Sequence, residues 1–178
     1  MLKYLISDMQ NACKYLPYLL IAVFVALVIL GIYNLTRKLC GLETKPIFSA
    51  AFAYGYMVLI FVMTLWSRED GSHLGLDLQI GSTWGINARN NAYVIENILL
   101  FVPFGFFAAG KWRKMRNVFY SFFMGLLFSL LIECLQLMTA RGYFQIDDVL
   151  TNAIGCLFGC FFFFIKKCGK IRKSVIIL

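Results

Sequence analysis

Charged residues are scarce in this sequence, and so are the residues that usually bind metal ions. Only 15% of the 178 residues are charged, 61% are hydrophobic, and the mean hydropathy is +0.76. This composition excludes an ordinary soluble domain and predicts a membrane protein. There is one histidine, and the six cysteines include no CxxC pair. The cysteines are therefore predicted to be inert, small hydrophobic residues rather than metal ligands.

Acidic residues are about half as frequent as basic ones, with 9 Asp and Glu against 17 Lys and Arg. In a soluble protein this excess would raise the question of nucleic acid binding. Here the basic residues form short clusters beside apolar runs, which is typical of membrane orientation signals. No nucleic acid partner is predicted.

Five apolar runs follow one another along the chain. Four of them have 17 residues or more, which is enough to cross the hydrocarbon core of a bilayer. These four are Tyr15–Thr36, Pro46–Ser67, Val118–Ala140 and Val149–Ile165. The remaining run, Ile98–Gly110, is the third in chain order. It is short and is interrupted by Pro103. The polar stretch before it, Arg68–Asn91, is punctuated by glycines and is predicted to be an irregular loop.

The short run leaves two topologies open. Either it draws Ala92–Asn97 into the membrane, which gives five spans, or it forms a re-entrant hairpin, which gives four. Five spans gather the buried polar residues in one outer third of the bilayer, where clustered carboxylates cost less than isolated ones. The sequence therefore favours an all-α integral membrane protein, a bundle of about five transmembrane helices, with a short, Pro-interrupted third helix.

The distribution of basic residues predicts the orientation. Of the Lys and Arg residues, 12 lie in the connections 37–46 and 111–117 and in the C-terminal tail, and 5 lie on the other side. By the positive-inside rule the C-terminus is cytoplasmic and the N-terminus is extracytoplasmic. Without an internal repeat or linker, residues 1–178 are predicted to form one membrane domain, with a core at 92–165 and a basic tail at 166–178.

The candidate site residues lie in and beside the last three apolar runs. An ionisable group inside a bilayer helix costs at least about 2.5 to 3.5 kcal/mol, so it usually has a function. Chemistry on a phosphate-linked head group needs a carboxylate to move a proton and a cation, either Arg or a divalent metal ion, to stabilise phosphate charge. The catalytic candidates are Glu133, Arg141, Asp147 and Asp148, and the substrate-binding candidates are Glu96, Asn97, Ser129, Gln136 and Asn152.

Small residues predict close helix packing around these side chains. Asp148, Asn152, Gly155 and Gly159 share one stripe of a helix, at spacings of four, three and four residues. Glycines in such a stripe allow another membrane helix to approach closely. Pro103 and Gly105 are the corresponding packing candidates in the third run.

Two motifs resemble the signatures of VanZ-like membrane proteins. Residues 97–105 match the pattern N-x-x-x-F-x-P-x-G, and residues 133–155 match the pattern E-x-x-Q, then R, then D-D-x-x-x-N-x-x-G. The resemblance implies membership of a family known for teicoplanin resistance, and a relationship to membrane enzymes that act on phosphate-linked lipid head groups.

Two functions follow as expectations from the resemblance and the residues. The first is a site that binds, and hydrolyses or transfers, the head group of a membrane lipid or lipid-linked envelope precursor at the outer leaflet. The second is a noncatalytic binding or structural protein, whose buried polar network only holds the bundle together. The sequence alone leaves both open.

Overall fold

The computed structural model describes residues 1–66 and 73–176, with side chains over 1–66 and 75–169. The elements of these residues are α1 (Leu2–Ala12), α2 (Leu16–Leu39), α3 (Phe48–Phe61), β1 (His73–Asp77), α4 (Ala88–Lys111), α5 (Val118–Met138), β2 (Arg141–Gln145) and α6 (Ile146–Ile176). Short 3-10 segments, Cys13–Tyr15 and Arg113–Arg116, precede α2 and α5, and a π-helical segment, Val62–Trp66, extends α3. Predictions for residues 67–72 and 177–178 lie outside this description.

Five helical segments are long and apolar enough to cross a membrane. They are Leu2–Leu39, Phe48–Trp66, Ala88–Lys111, Val118–Met138 and Ile146–Gly169. The prediction of an α-helical bundle with about five membrane-spanning helices is therefore confirmed, and the alternative with four spans is wrong. The first segment begins well before its apolar run because α1 and the following 3-10 segment continue into α2.

The third membrane-spanning helix, α4, is longer than its apolar run predicts. It begins at Ala88, four residues before the Ala92 start of the five-span prediction, and it continues with Pro103 inside it to Lys111. The side chain of Asn87 caps its start by accepting hydrogen bonds from the backbone N–H groups of the second and third helical residues. The expectation of a short third helix is wrong, because polar residues extend the helix beyond the apolar part.

Glycines let α4 and α6 pack backbone against backbone. A Cβ atom added to Gly155 would collide with the backbone carbonyl of Ile98, and one added to Gly105 would collide with that of Cys156. Gly159 meets the backbone of α4 in the same way, one turn further along α6. This close approach fixes the register between the two helices that carry most of the polar motif residues.

Two connections on the same end of the bundle pair as a small parallel sheet. β1 and β2 run side by side, with His73 opposite Arg141 and Asp77 opposite Gln145. The expectation of an irregular loop over Arg68–Asn91 is wrong at β1, because backbone pairing with a distant segment orders it. We call this end of the bundle the sheet end. The opposite end, with the connections 40–47 and 112–117, is called the basic end.

Aromatic rings fill the centre of the bundle. The ring of Phe128 in α5 lies 4.9 Å from that of Phe104, 5.7 Å from that of Phe101 and 5.4 Å from that of Phe61. Aromatic side chains of α3 and α4 therefore pack against one ring of α5, further from the sheet than the polar residues of the sheet end.

Candidate functional site

A cavity of about 400 Å³ opens between α1, α3 and α4 near the sheet end. We call it the carboxylate cavity because two acidic side chains, Asp8 and Glu96, lie in its wall. Its other lining residues are Met9, Ala12, Cys13, Leu16, Tyr56, Leu59, Met63, Thr64, Asn97, Leu99 and Leu100. Most of this wall is apolar, and the polar groups come from a small number of side chains, which is the usual composition of a ligand site.

The two carboxyl groups come from different helices. Asp8 lies on α1, Glu96 lies on α4, and the two side chains are close enough to interact. Glu96 Oε1 is buried, and no described residue gives it a hydrogen bond. A buried acceptor without a partner is costly, and a ligand that supplies a donor removes that cost.

Arg89 balances part of this negative charge at the edge of the cavity. Its Nη2 lies 3.4 Å from Asp8 Oδ2, an ion pair that lacks hydrogen-bond geometry. Its Nε donates a 2.8 Å hydrogen bond to the hydroxyl of Tyr93, and its guanidinium lies over the rings of Tyr4 and Tyr93. Arg89 therefore joins α1 to α4, and α1 is held against the cavity that it helps to form.

Asn97 connects the carboxylate cavity to the motif residues of α6. It lines the cavity, and its Nδ2 donates a 2.7 Å hydrogen bond to Asp148 Oδ1. Glu96 and Asn97 are thus the two sequence-predicted site residues in the cavity wall, and Asp148 is joined to them through Asn97.

Asp147 points away from Asp148 and holds the connection after β1. Its carboxylate accepts hydrogen bonds from the backbone N–H groups of Gly81, at 2.7 Å, and Thr83, at 2.9 Å. The hydroxyl of Ser82 lies 3.5 Å from the same carboxylate. This sequence-predicted residue therefore anchors a loop to the start of α6.

Glu133 holds the end of the second strand. Its Oε2 accepts a 3.1 Å hydrogen bond from the backbone N–H of Gln145, where β2 passes into α6. The side chain is almost fully buried within α5. This hydrogen bond therefore connects α5 to the end of β2.

Gln136 and Arg141 satisfy backbone carbonyls of the π-helical segment that extends α3. Gln136 Nε2 donates a 3.1 Å hydrogen bond to the carbonyl of Thr64, and Arg141 Nη1 donates one of 3.3 Å to that of Leu65. The Arg141 guanidinium also lies 5.8 Å from the centre of the Trp66 ring. A π-helical segment changes the hydrogen-bond pattern of the helix and leaves carbonyls available to such side chains.

Ser129 and Asn152 form a separate buried pair. Asn152 Nδ2 donates a 2.8 Å hydrogen bond to Ser129 Oγ, which joins α5 to α6. Asn152 Oδ1 is buried without a hydrogen-bond partner in the described part of the chain. The sequence-predicted residues thus lie in several small groups between neighbouring elements, and the carboxylate cavity contains two of them.

Asp8 is the acidic residue of this cavity that sequence reasoning missed. The signal for it was present, because residues 8, 9, 12, 13 and 16 recur on one face of a helix and all five line the cavity. Apolar runs do not reveal this helix face, because α1 precedes the first apolar run.

Metal ligands are not clustered in this cavity. Within residues 1–66 and 75–169, no group of three or more His, Cys, Asp or Glu side chains is placed to hold a metal ion. Asp8 and Glu96 are the acidic side chains among the residues that line the carboxylate cavity.

Comparison with known proteins gives one family. The family model described as VanZ/LLP1 matches residues 18–167, which covers most of the chain and includes both motifs. Comparison with curated proteins and with solved structures gives no match. The matched residues contain the α3 and α4 walls of the carboxylate cavity, and the α1 wall precedes them. The chain therefore belongs to the VanZ/LLP1 family.

Proposed function

We propose that this membrane protein binds the polar head group of a membrane lipid or lipid-linked envelope precursor in the carboxylate cavity. The observation that carries the proposal is the combination of acidic acceptors and a mainly apolar wall in one cavity of about 400 Å³. A cavity of this size accommodates a head group together with part of an acyl or isoprenoid chain.

The polar groups restrict the chemistry of the head group. The carboxyl oxygens of Asp8 and Glu96 accept hydrogen bonds, so the two side chains favour a ligand with hydroxyl or ammonium donors. The buried Oε1 of Glu96 supplies an acceptor that is already desolvated. An amine or a polyol head group matches these acceptors, and Arg89 at the edge is suited to an adjacent phosphate.

The apolar part of the wall suits the chain of the same ligand. Leu59, Leu99 and Leu100 line the cavity from α3 and α4, and Leu16 lines it from the start of α2. A ligand that keeps its chain along these side chains and its head group at Asp8 and Glu96 lies across the interface between lipid tails and water.

The proposed site opens to the extracytoplasmic leaflet. The basic end carries most of the Lys and Arg residues, so the positive-inside rule assigns the sheet end, with this cavity, to the outside. Lipid-linked precursors of the cell wall are available there, and teicoplanin acts there. Binding of such a precursor is the proposed basis of glycopeptide tolerance.

We propose that the motif side chains predicted from sequence to be catalytic instead stabilise the elements that surround this site. Asp148 fixes Asn97 in the cavity wall, and Asp147 anchors the loop at Gly81 and Thr83. Arg141 and Glu133 bind backbone groups of neighbouring elements. This assignment favours binding over hydrolysis or transfer of the head group.

Two natural cysteines provide the test. Cys13 is exposed and lines the cavity, whereas Cys40 is also exposed but lies at the basic end. Proteins that keep only one of these cysteines are reacted with a maleimide while short-chain phospholipids with ethanolamine, glycerol or choline head groups are titrated.

The proposal expects a saturable decrease in the labelling rate of Cys13 with one head-group class and a constant rate at Cys40. Glu96→Gln is expected to weaken the protection of Cys13, since it replaces one of the two acceptor oxygens by an amide donor. Equal effects of every lipid on both cysteines would contradict a specific head-group site.

A further inference from the structure

A second cavity lies at the basic end, on the opposite side of the bundle from the carboxylate cavity. It has a volume of about 440 Å³ and is lined by the start of α3, the end of α4, the 3-10 segment before α5 and residues 163–167 of α6. We call it the basic cavity. Its lining residues are Phe48, Ser49, Phe52, Phe106, Phe107, Gly110, Arg116, Phe163, Lys166 and Lys167.

Three cationic side chains converge on the basic cavity. Arg116 comes from the 3-10 segment before α5, and Lys166 and Lys167 come from α6. None of the described lining residues is acidic. The three cations are therefore not neutralised by a carboxylate of the cavity wall, which gives the cavity a net positive charge.

Two of these cations are held in position against aromatic rings. The Arg116 guanidinium lies 5.3 Å from the centre of the Phe163 ring, and its Nε donates a 3.0 Å hydrogen bond to the carbonyl of Ala109. Lys166 Nζ lies 5.1 Å from the centre of the Phe106 ring. These contacts reduce the conformational freedom that the side chains would lose on binding an anion.

Most of the remaining wall is aromatic. The rings of Phe52 and Phe107 stack at 5.1 Å, and Phe106 packs edge to face against Phe107 at 5.4 Å. Phe48 is exposed at the start of α3. The cavity thus combines a positively charged rim with a hydrophobic floor at the depth where a helix end meets the membrane surface.

We propose that the basic cavity binds one anionic phospholipid of the leaflet at the basic end. Its phosphate contacts Arg116, Lys166 and Lys167, and one acyl chain packs along Phe52 and Phe107. Charge complementarity selects an anionic over a zwitterionic lipid, and basic pockets between membrane helices are suited to such head groups. The geometry of the basic end carries this inference, so it does not depend on the carboxylate cavity or its ligand.

The test compares two double variants with the same change in net charge. Lys166→Gln/Lys167→Gln removes two cations of the cavity, and Arg113→Gln/Lys114→Gln removes two exposed cations of the same end that do not line it. Native mass spectrometry of the purified proteins measures the affinities for phosphatidylglycerol and phosphatidylcholine with identical acyl chains. Lys166→Arg/Lys167→Arg is included because it retains both charges.

Wild type is expected to retain one phosphatidylglycerol in preference to phosphatidylcholine. The preference for phosphatidylglycerol falls about tenfold in the Lys166→Gln/Lys167→Gln variant, because the two removed cations no longer attract the anionic head group. It persists in the Arg113→Gln/Lys114→Gln and Lys166→Arg/Lys167→Arg variants. Equal binding of both lipids by wild type, or equal losses in both glutamine variants, would overturn the proposal.

Discussion

Asn97 in α4 and Asp148 in α6 are joined by a 2.7 Å hydrogen bond between side-chain amide and carboxylate. Each residue belongs to a different sequence motif, and the bond lies near the place where Gly155 brings the two helices together. Asn97 also lines the carboxylate cavity. The contact between the motifs therefore determines the position of one wall of the proposed binding site.

Replacing Asn97 by leucine is expected to destabilise the bundle. The substitution removes a hydrogen bond to a charged acceptor, which typically contributes about 1.5 to 3 kcal/mol. Thermal or denaturant unfolding in detergent measures the change. Asp148→Asn retains an acceptor and should cost less, and the double variant Asn97→Leu/Asp148→Asn should lose less than the sum of the two single variants. Additive losses would show that the two side chains are not coupled.

Replacing Gly155 by alanine is expected to separate α4 from α6. The added methyl group collides with the backbone carbonyl of Ile98, and overpacking of this kind costs about 1 to 3 kcal/mol. Gly31→Ala is the matched control, because no atom lies within 4 Å of the position that a Cβ would take in α2. Unfolding measurements should therefore show a loss for Gly155→Ala only. The same stability in both variants would contradict the described packing.

Asp147→Asn is expected to loosen the loop after β1. The neutral amide offers one acceptor oxygen in place of two, so the N–H of Gly81 or of Thr83 loses its bond. Hydrogen exchange at these two amides should accelerate by about tenfold, as expected for a weakened charged hydrogen bond. Asp148→Asn is the comparison at the neighbouring position, where the carboxylate accepts a hydrogen bond from Asn97. Unchanged exchange in Asp147→Asn would show that the loop is held by other contacts.

The membrane helices could be predicted from sequence because their signal is local. Uncharged apolar runs define the spans, and the glycine stripe at Gly155 and Gly159 predicts which face of α6 another helix approaches. The apolar run alone does not define the start of α4, because the helix begins with polar residues at Ala88, four residues before the predicted Ala92. Asn87 caps that extension, and α1 packs against it through Arg89 and Asp8.

The nonlocal contacts could not be predicted in the same way. β1 and β2 have parallel partners far away in sequence, so neither strand is specified by its own residues. The proximity of Asp8 to Glu96 likewise requires α1 to lie beside α4, which is far away in sequence. Motif spacing placed Asp147 and Asp148 together, but adjacent residues of a helix point in different directions, and these two bind different elements.

The proposed orientation of the bundle predicts opposite labelling of its two ends. Ile80 is 72% exposed at the sheet end, and Lys114 is exposed at the basic end. In a cysteine-free background, a cysteine at position 80 should react with an impermeant thiol reagent on intact cells. A cysteine at position 114 should react only after permeabilisation. The reverse pattern would place the carboxylate cavity at the cytoplasmic leaflet.

The central claim is that the carboxylate cavity selects a lipid by its head group. A photo-crosslinking amino acid at Met9, which lines this cavity, is compared with one at Met138, which is 81% exposed on the bundle surface. After irradiation in cells, mass spectrometry identifies the lipid attached at each position. The account predicts adducts of one head-group class at position 9 and adducts that follow the bulk lipid composition at position 138. The same lipid composition at both positions would contradict it.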